Sequence, residues 1–270
     1  MKNIYKNTFP LIILLIIPFL LTSQTNSIVI ENTIKDYKEN EANPGTDFTI
    51  KRIDLDNDND LDYIFSFGCG EQNCLRIHLN KKGTYEKVAN EFGSESFYIT
   101  DSKTGETSQL VLRSITNHCC GESPFGSYRD FVFANDQAIV KNNYVMYNHQ
   151  YYNDEDNYRL TLVPETFLDK PYQASITTNG YNVRFSADLD THNAMFTCSE
   201  ETNIISRITE GKEVTVIAEY RGNDYEERTW LYVEIPSEAI YKDGCPSPIS
   251  FGFENQKLRG WISNKYVQRK

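Results

Sequence analysis

The chain has 270 residues, 27 of them Lys or Arg and 38 Asp or Glu, for a formal charge of -11. That acidic excess argues against nucleic acid or an anionic membrane surface as a partner, and it suits metal loops or a solvated face. Tyr and Phe number 18 and 15; beyond the N-terminal stretch the apolar residues fall in short runs bounded by Gly, Asn, Asp and Pro, so an all-β fold is expected.

Lys2 and Lys6 precede an apolar run over 11–21, which gives way to Thr22, Ser23 and Ser27. This order reads as a secretory signal peptide over residues 1–25, cleaved between Ser23 and Ser27. The run is shorter than the roughly 20 residues a membrane span needs, and Pro18 interrupts it, so no transmembrane anchor is expected after cleavage. The expected location is periplasmic or secreted.

Residues 30–46 are polar and read as an ordered edge or short leader. Strand patterns follow at 62–67, 109–115, 128–133 and 213–220. The acidic stretch 150–157 and then Pro164 and Pro171 place a domain boundary at about 165–172, giving one β domain over 28–165 and a second over 172–270. No internal repeat at the periods of propeller blades or solenoids is present.

Between the first two strand signals lies Asp54-Leu55-Asp56-Asn57-Asp58-Asn59-Asp60-Leu61-Asp62. Carboxylates at positions 1, 3, 5 and 9 can converge on one hard cation while Asp60, at position 7, offers its backbone carbonyl. Asp54, Asp56, Asp58, Asp60 and Asp62 are therefore the expected ligands of Ca2+, and Asn59 is the residue expected to take the left-handed turn. Magnesium fits less well, because five protein oxygens leave little room for its waters. Position 12 is Phe65 rather than Glu, and a strand follows where an EF-hand has a helix. The expected role is a structural clamp.

Six cysteines stand at 69, 74, 119, 120, 198 and 245, an even set in a chain expected to be exported, so disulfides are the default. Cys198 and Cys245 lie in the second domain and are paired first. Cys69 and Cys74 then either cross to Cys119 and Cys120, or close a local loop while Cys119 and Cys120 bond each other. The crossed form is preferred, since adjacent cysteines rarely reach disulfide geometry. His78, His118, His149 and His192 are scattered. A thiol nucleophile at His118-Cys119-Cys120 and a zinc site on Cys69, Cys74, Cys119 and Cys120 are both disfavoured, the second because short C-x-x-C knuckles are missing.

The acidic loop resembles the D-x-D-x-D-x-x-x-D calcium loops of integrin-like (FG-GAP-type) β proteins. Over 48–148 the order of calcium loop, strand, Leu75–Leu79, the turn Asn80–Gly83, the strand Thr84–Val88, the loop Cys119–Gly126 and the aromatic strand Tyr128–Phe133 is similar to periplasmic proteins of lysozyme-inhibitor fold. That likeness implies a domain that binds a cell-wall hydrolase. In the second half, Asn182-Val183-Arg184, the 204–211 segment, Glu213–Ile217, Trp230–Val233 and Gly260-Trp261-Ile262 with Tyr266-Val267 resemble the bacterial SH3-like (SH3b) domain, a small barrel. Two insertions, 185–203 and 236–259, depart from that pattern, and each carries one cysteine.

The resemblance implies Trp230, Trp261 and Tyr266 as core and ligand-binding residues, and peptidoglycan or an envelope protein as partner. The expectation is thus a non-catalytic envelope binding protein with structural calcium. An inhibitor or immunity protein against a peptidoglycan hydrolase is the alternative, and a hydrolase the third.

Overall fold

The computed structural model describes residues 29–100, 109–117, 125–148, 162–189, 197–198, 202–222, 228–241, 245, 252–253 and 255–270. These residues form an all-β protein. They divide into two compact units: the residues up to Ser114 together with Phe131–Val140, and Ile115–Asp130 together with Lys141–Lys270.

In the first unit, β1 (Phe48–Ile53), β2 (Asp62–Cys69), β3 (Gln72–Lys81) and β4 (Thr84–Phe92) form an antiparallel sheet in chain order. The β3–β4 hairpin turns through Lys82 and Gly83, both with positive φ, as a two-residue turn matched to strand twist requires. β5 (Ser94–Thr100), β6 (Gln109–Asn117), β7 (Phe125–Ala134) and β8 (Gln137–Tyr147) belong to a second sheet. β6, β7 and β8 each supply residues to both units.

The period-2 rule sorts the side chains of β2 and β3 onto two faces. Ile64, Leu75, Ile77 and Leu79 turn one way and pack with Leu55, Leu112, Phe131 and Phe133. Phe65, Phe67 and Cys74 turn the other way and are covered by Ile30 and Tyr37. The covering piece is helical over 29–36 and runs on into a single π turn, Tyr37–Glu41. The segment read from sequence as an edge or leader is therefore a lid on the sheet. Each large side chain it seals contributes about 1.5–3 kcal/mol.

The second unit adds β9 (Tyr172–Ile176), β10 (Tyr181–Arg184), β11 (Ile204–Ile208), β12 (Glu213–Arg221), β13 (Thr229–Ile235), β14 (Lys257–Ser263) and β15 (Val267–Arg269). The order is β15-β9-β12-β13-β14; β14 also meets β10 at Trp261 and runs parallel to β8 at Lys257–Leu258, while β10 pairs with β11. Val183, Ile205, Val214, Val216, Val233, Leu258 and Ile262 share the core of this unit. Gly260 explains itself by contact: a Cβ there would lie 2.7 Å from Val183 Cγ1 and 3.0 Å from the Arg184 carbonyl. Only a glycine lets β10 approach β14 so closely.

Cys198 and Cys245 are bonded, with Cα atoms 4.5 Å apart, as expected. The crossed pairing of Cys69 and Cys74 is overturned. These two are bonded to each other across the β2–β3 hairpin, with Cα atoms 5.6 Å apart. The reason is register: Phe67 faces Cys74 and Cys69 faces Gln72, so the tight turn at Gly70 leaves the two cysteines as diagonal neighbours on adjacent strands. His118, Cys119 and Cys120 lie outside the described residues, as do residues 1–25, where a signal peptide is expected, and His149 and His192.

Candidate functional site

The loop joining β1 to β2 is wound by its own carboxylates. Asp54 accepts from the backbone N–H of Asp58 (3.2 Å) and of Asn59 (3.0 Å), and Asp58 accepts from Asp60 N–H (2.8 Å). Asn57 and Asn59 stand at φ 62° and 72°, the left-handed region that Asn tolerates, so the sharp turn falls at Asn59 as its position in the loop demands.

Asp62, at the start of β2, is fully buried and spends both oxygens on the backbone. It accepts from Leu55 N–H at 2.7 Å and from Asn80 N–H at 2.8 Å, which ties the loop to the end of β3. Burial pushes its carboxyl up to about 6, against the pull of those two N–H groups.

Asp54, Asp56 and Asp58 each bring one carboxylate oxygen within 4.8 Å of the others. The carboxylates of Asp60 and Asp62 are not in that group. Asp56 is raised above the ordinary carboxylate range, first by burial and then by Asp58, and its Oδ1 is buried without a hydrogen-bond donor. A carboxylate with a desolvated, donorless oxygen, grouped with two other carboxylates, is costly by itself and is relieved by a cation. An all-oxygen donor set of this kind fits a hard ion such as calcium.

The three aromatic residues expected to bind a ligand in the second unit separate. Trp230 and Trp261 are 1% and 0% exposed and pack with Ile217, Ala218 and Tyr232, so both indoles are core. Trp261 donates its ring N–H to the Leu162 carbonyl at 3.0 Å. Tyr266 instead is 43% exposed, on the single 3-10 turn Asn264–Tyr266 between β14 and β15. Its ring stands edge-on to Tyr181 at 5.7 Å, and Lys265 lies 5.5 Å from its face.

Two buried polar groupings in the first unit were not foreseen. The Tyr37 hydroxyl and His78 Nε2 are 2.7 Å apart beneath the N-terminal lid, and His78 Nδ1 has no partner. Burial, and then the Lys87 ammonium, lower the imidazole to about 4. Arg76, also buried, donates to Glu41 at 2.7 and 3.0 Å and to Cys74 Sγ at 3.0 Å. The alternation of Cys74, Arg76 and His78 on one strand face was the available signal. It carried no meaning without the lid that turns that face into an interior. Compared with known protein families, with curated proteins and with solved structures, the chain matches none.

Proposed function

We propose that the protein is an exported, non-catalytic binding protein of the cell envelope, in which calcium fixes the first unit and the second, SH3-like unit engages peptidoglycan or an envelope protein. Two disulfides fit an oxidising compartment. The three-carboxylate group with the donorless Asp56 oxygen supports the metal. Asp54, Asp56 and Asp58 would hold it, and it would supply charge neutralisation to the loop.

The observation that carries the binding reading is the Tyr266–Tyr181 pair with Lys265. While both tryptophans are core, Tyr266 is 43% exposed with the Lys265 ammonium at its ring, a pairing of aromatic and cationic surface that suits a sugar or peptide chain better than an apolar surface. The SH3-like reading is supported by the strand placement of its motifs. Asn182-Val183-Arg184 lies in β10, Gly260-Trp261-Ile262 in β14, and the two meet at Arg184 and Trp261.

The test is sedimentation of the full mature chain with purified peptidoglycan. Binding is expected, and Tyr266→Ala is expected to weaken it about tenfold while costing only the Tyr181 edge contact in stability, about 0.5–1.5 kcal/mol. Equal sedimentation of both forms removes the turn from the binding site, and no sedimentation of either removes peptidoglycan as the ligand. An inhibitor role is read in the same preparation by adding lysozyme and following wall lysis.

A further inference from the structure

We propose that Cys69–Cys74 is a redox-active disulfide, with Cys69 the sulfur attacked by an external thiolate and Cys74 the leaving group received by Arg76. The bond is asymmetric. Cys74 is buried (1% exposed), whereas Cys69, beside the hairpin turn at Gly70, is only partly covered. An incoming thiol therefore reaches Cys69 first.

Cys74 Sγ accepts from Arg76 at 3.0 Å. A disulfide sulfur is a weak acceptor and gains little from a guanidinium. A thiolate in the same place is a full anion and gains a charge-assisted hydrogen bond in a site shielded from water. The contact thus favours the reduced form over the oxidised one. It also lowers the barrier to exchange, because a leaving thiol of lower pKa leaves faster.

Arg76 is held for this task from several sides. Its Nη1 donates to the carbonyls of Leu75 (3.3 Å) and Glu91 (3.0 Å), and its guanidinium lies 5.6 Å from the Phe67 ring centre and 5.8 Å from that of Phe92. Glu41, from the lid, takes part of its charge.

The exchange balances with one named class of co-reactant, a small or protein thiol. Its thiolate attacks Cys69 Sγ and the Cys69–Cys74 bond breaks, with the electron pair leaving on Cys74. A second thiolate then attacks the external sulfur of the mixed disulfide and releases Cys69 as a thiolate. Two thiols become one disulfide, and the protein gains two electrons.

The test equilibrates the full chain in glutathione buffers of graded ratio, quenches by alkylation, and reads the 69–74 pair by peptide mapping, so that the other cysteines do not interfere. Two variants break the same ion pair in opposite electrostatic senses. Arg76→Met removes the cation and is expected to make the disulfide about tenfold harder to reduce, a shift of about 30 mV for a two-electron couple. Glu41→Gln leaves the cation without its carboxylate and is expected to make it easier to reduce. Shifts in the same direction would mean that looseness of the fold sets the equilibrium, and the proposal fails. Unchanged equilibria in both variants refute it equally. Trapped glutathione must map to Cys69; an adduct on Cys74 overturns the assigned direction.

Discussion

Replacing Asp56 by Asn should move the stability of the first unit in opposite directions with and without calcium. Asp54, Asp56 and Asp58 hold oxygens within 4.8 Å of one another. Even at the dielectric of bulk water, two unit charges at that distance repel by about 0.9 kcal/mol. Asp56 takes part in two such pairs, and its Oδ1 is buried without a donor. In chelator the substitution therefore removes about 2 kcal/mol of strain, and at about 4–8 °C per kcal/mol for a unit of roughly 100 residues its thermal midpoint should rise by about 8–16 °C.

With calcium at one hundred times its dissociation constant, the native chain gains about 2.7 kcal/mol. The variant loses most of that gain, so its midpoint in calcium should rise little above its midpoint in chelator. The assay is a calorimetric melt of both proteins in chelator and in 1 mM calcium, with magnesium as control. A native midpoint indifferent to calcium would refute the metal. A variant less stable than the native chain in chelator would refute the repulsion that the argument rests on.

His78 titrates at about 4 in the folded chain against an ordinary 6.5, so the stability that rests on its neutral ring is complete above pH 6.5 and is lost as pH falls toward 4. The shift corresponds to at most about 3 kcal/mol; His78→Gln should flatten the fall in urea midpoint over that window, and an unchanged slope would exclude the imidazole as its source. Gly260→Ala should cost about 1–3 kcal/mol in urea unfolding, because its methyl group meets Val183 and the Arg184 carbonyl; a cost under 0.5 kcal/mol would show that β10 can yield. Removing Cys198–Cys245 with paired serines opens a link between residues 47 apart, for a loss of about 4 kcal/mol in the chain-entropy account; preserved stability would mean that the unfolded chain is compact there without the bond.

The strands were largely legible because each carries its own alternation. The expected runs at 62–67, 109–115, 128–133 and 213–220 reappear as β2, β6, β7 and β12, longer by a few residues. The lid was not legible. Ile30, Ile34 and Tyr37 have helical spacing, yet they sit among Glu, Lys and Asn, and so short an amphipathic piece has little helicity until the sheet receives it. The same dependence on packing hid the fate of Trp230 and Trp261: a Trp that lines a groove and one that fills a core look alike in sequence. The local disulfide was within reach, since Cys69-Gly70-Glu71-Gln72-Asn73-Cys74 can be read as a hairpin tip. The poor disulfide geometry of adjacent Cys119 and Cys120 points instead to the crossed pairing. For the acidic loop, spacing foresaw the sharp turn at Asn59, but not that the side chain of Asp62 would be spent on two backbone amides.

The interleaving of the two units along the chain has a consequence for biosynthesis. Emerging N-terminus first, the polypeptide has every segment of the first unit once residue 140 is out, and that unit can close. The segment 115–130 belongs to the other unit, and Phe125, fully buried in the finished protein, packs with side chains of β8 to β14. Until those strands follow, this aromatic strand end has none of its partners, which is when a chaperone or an aggregate would find it.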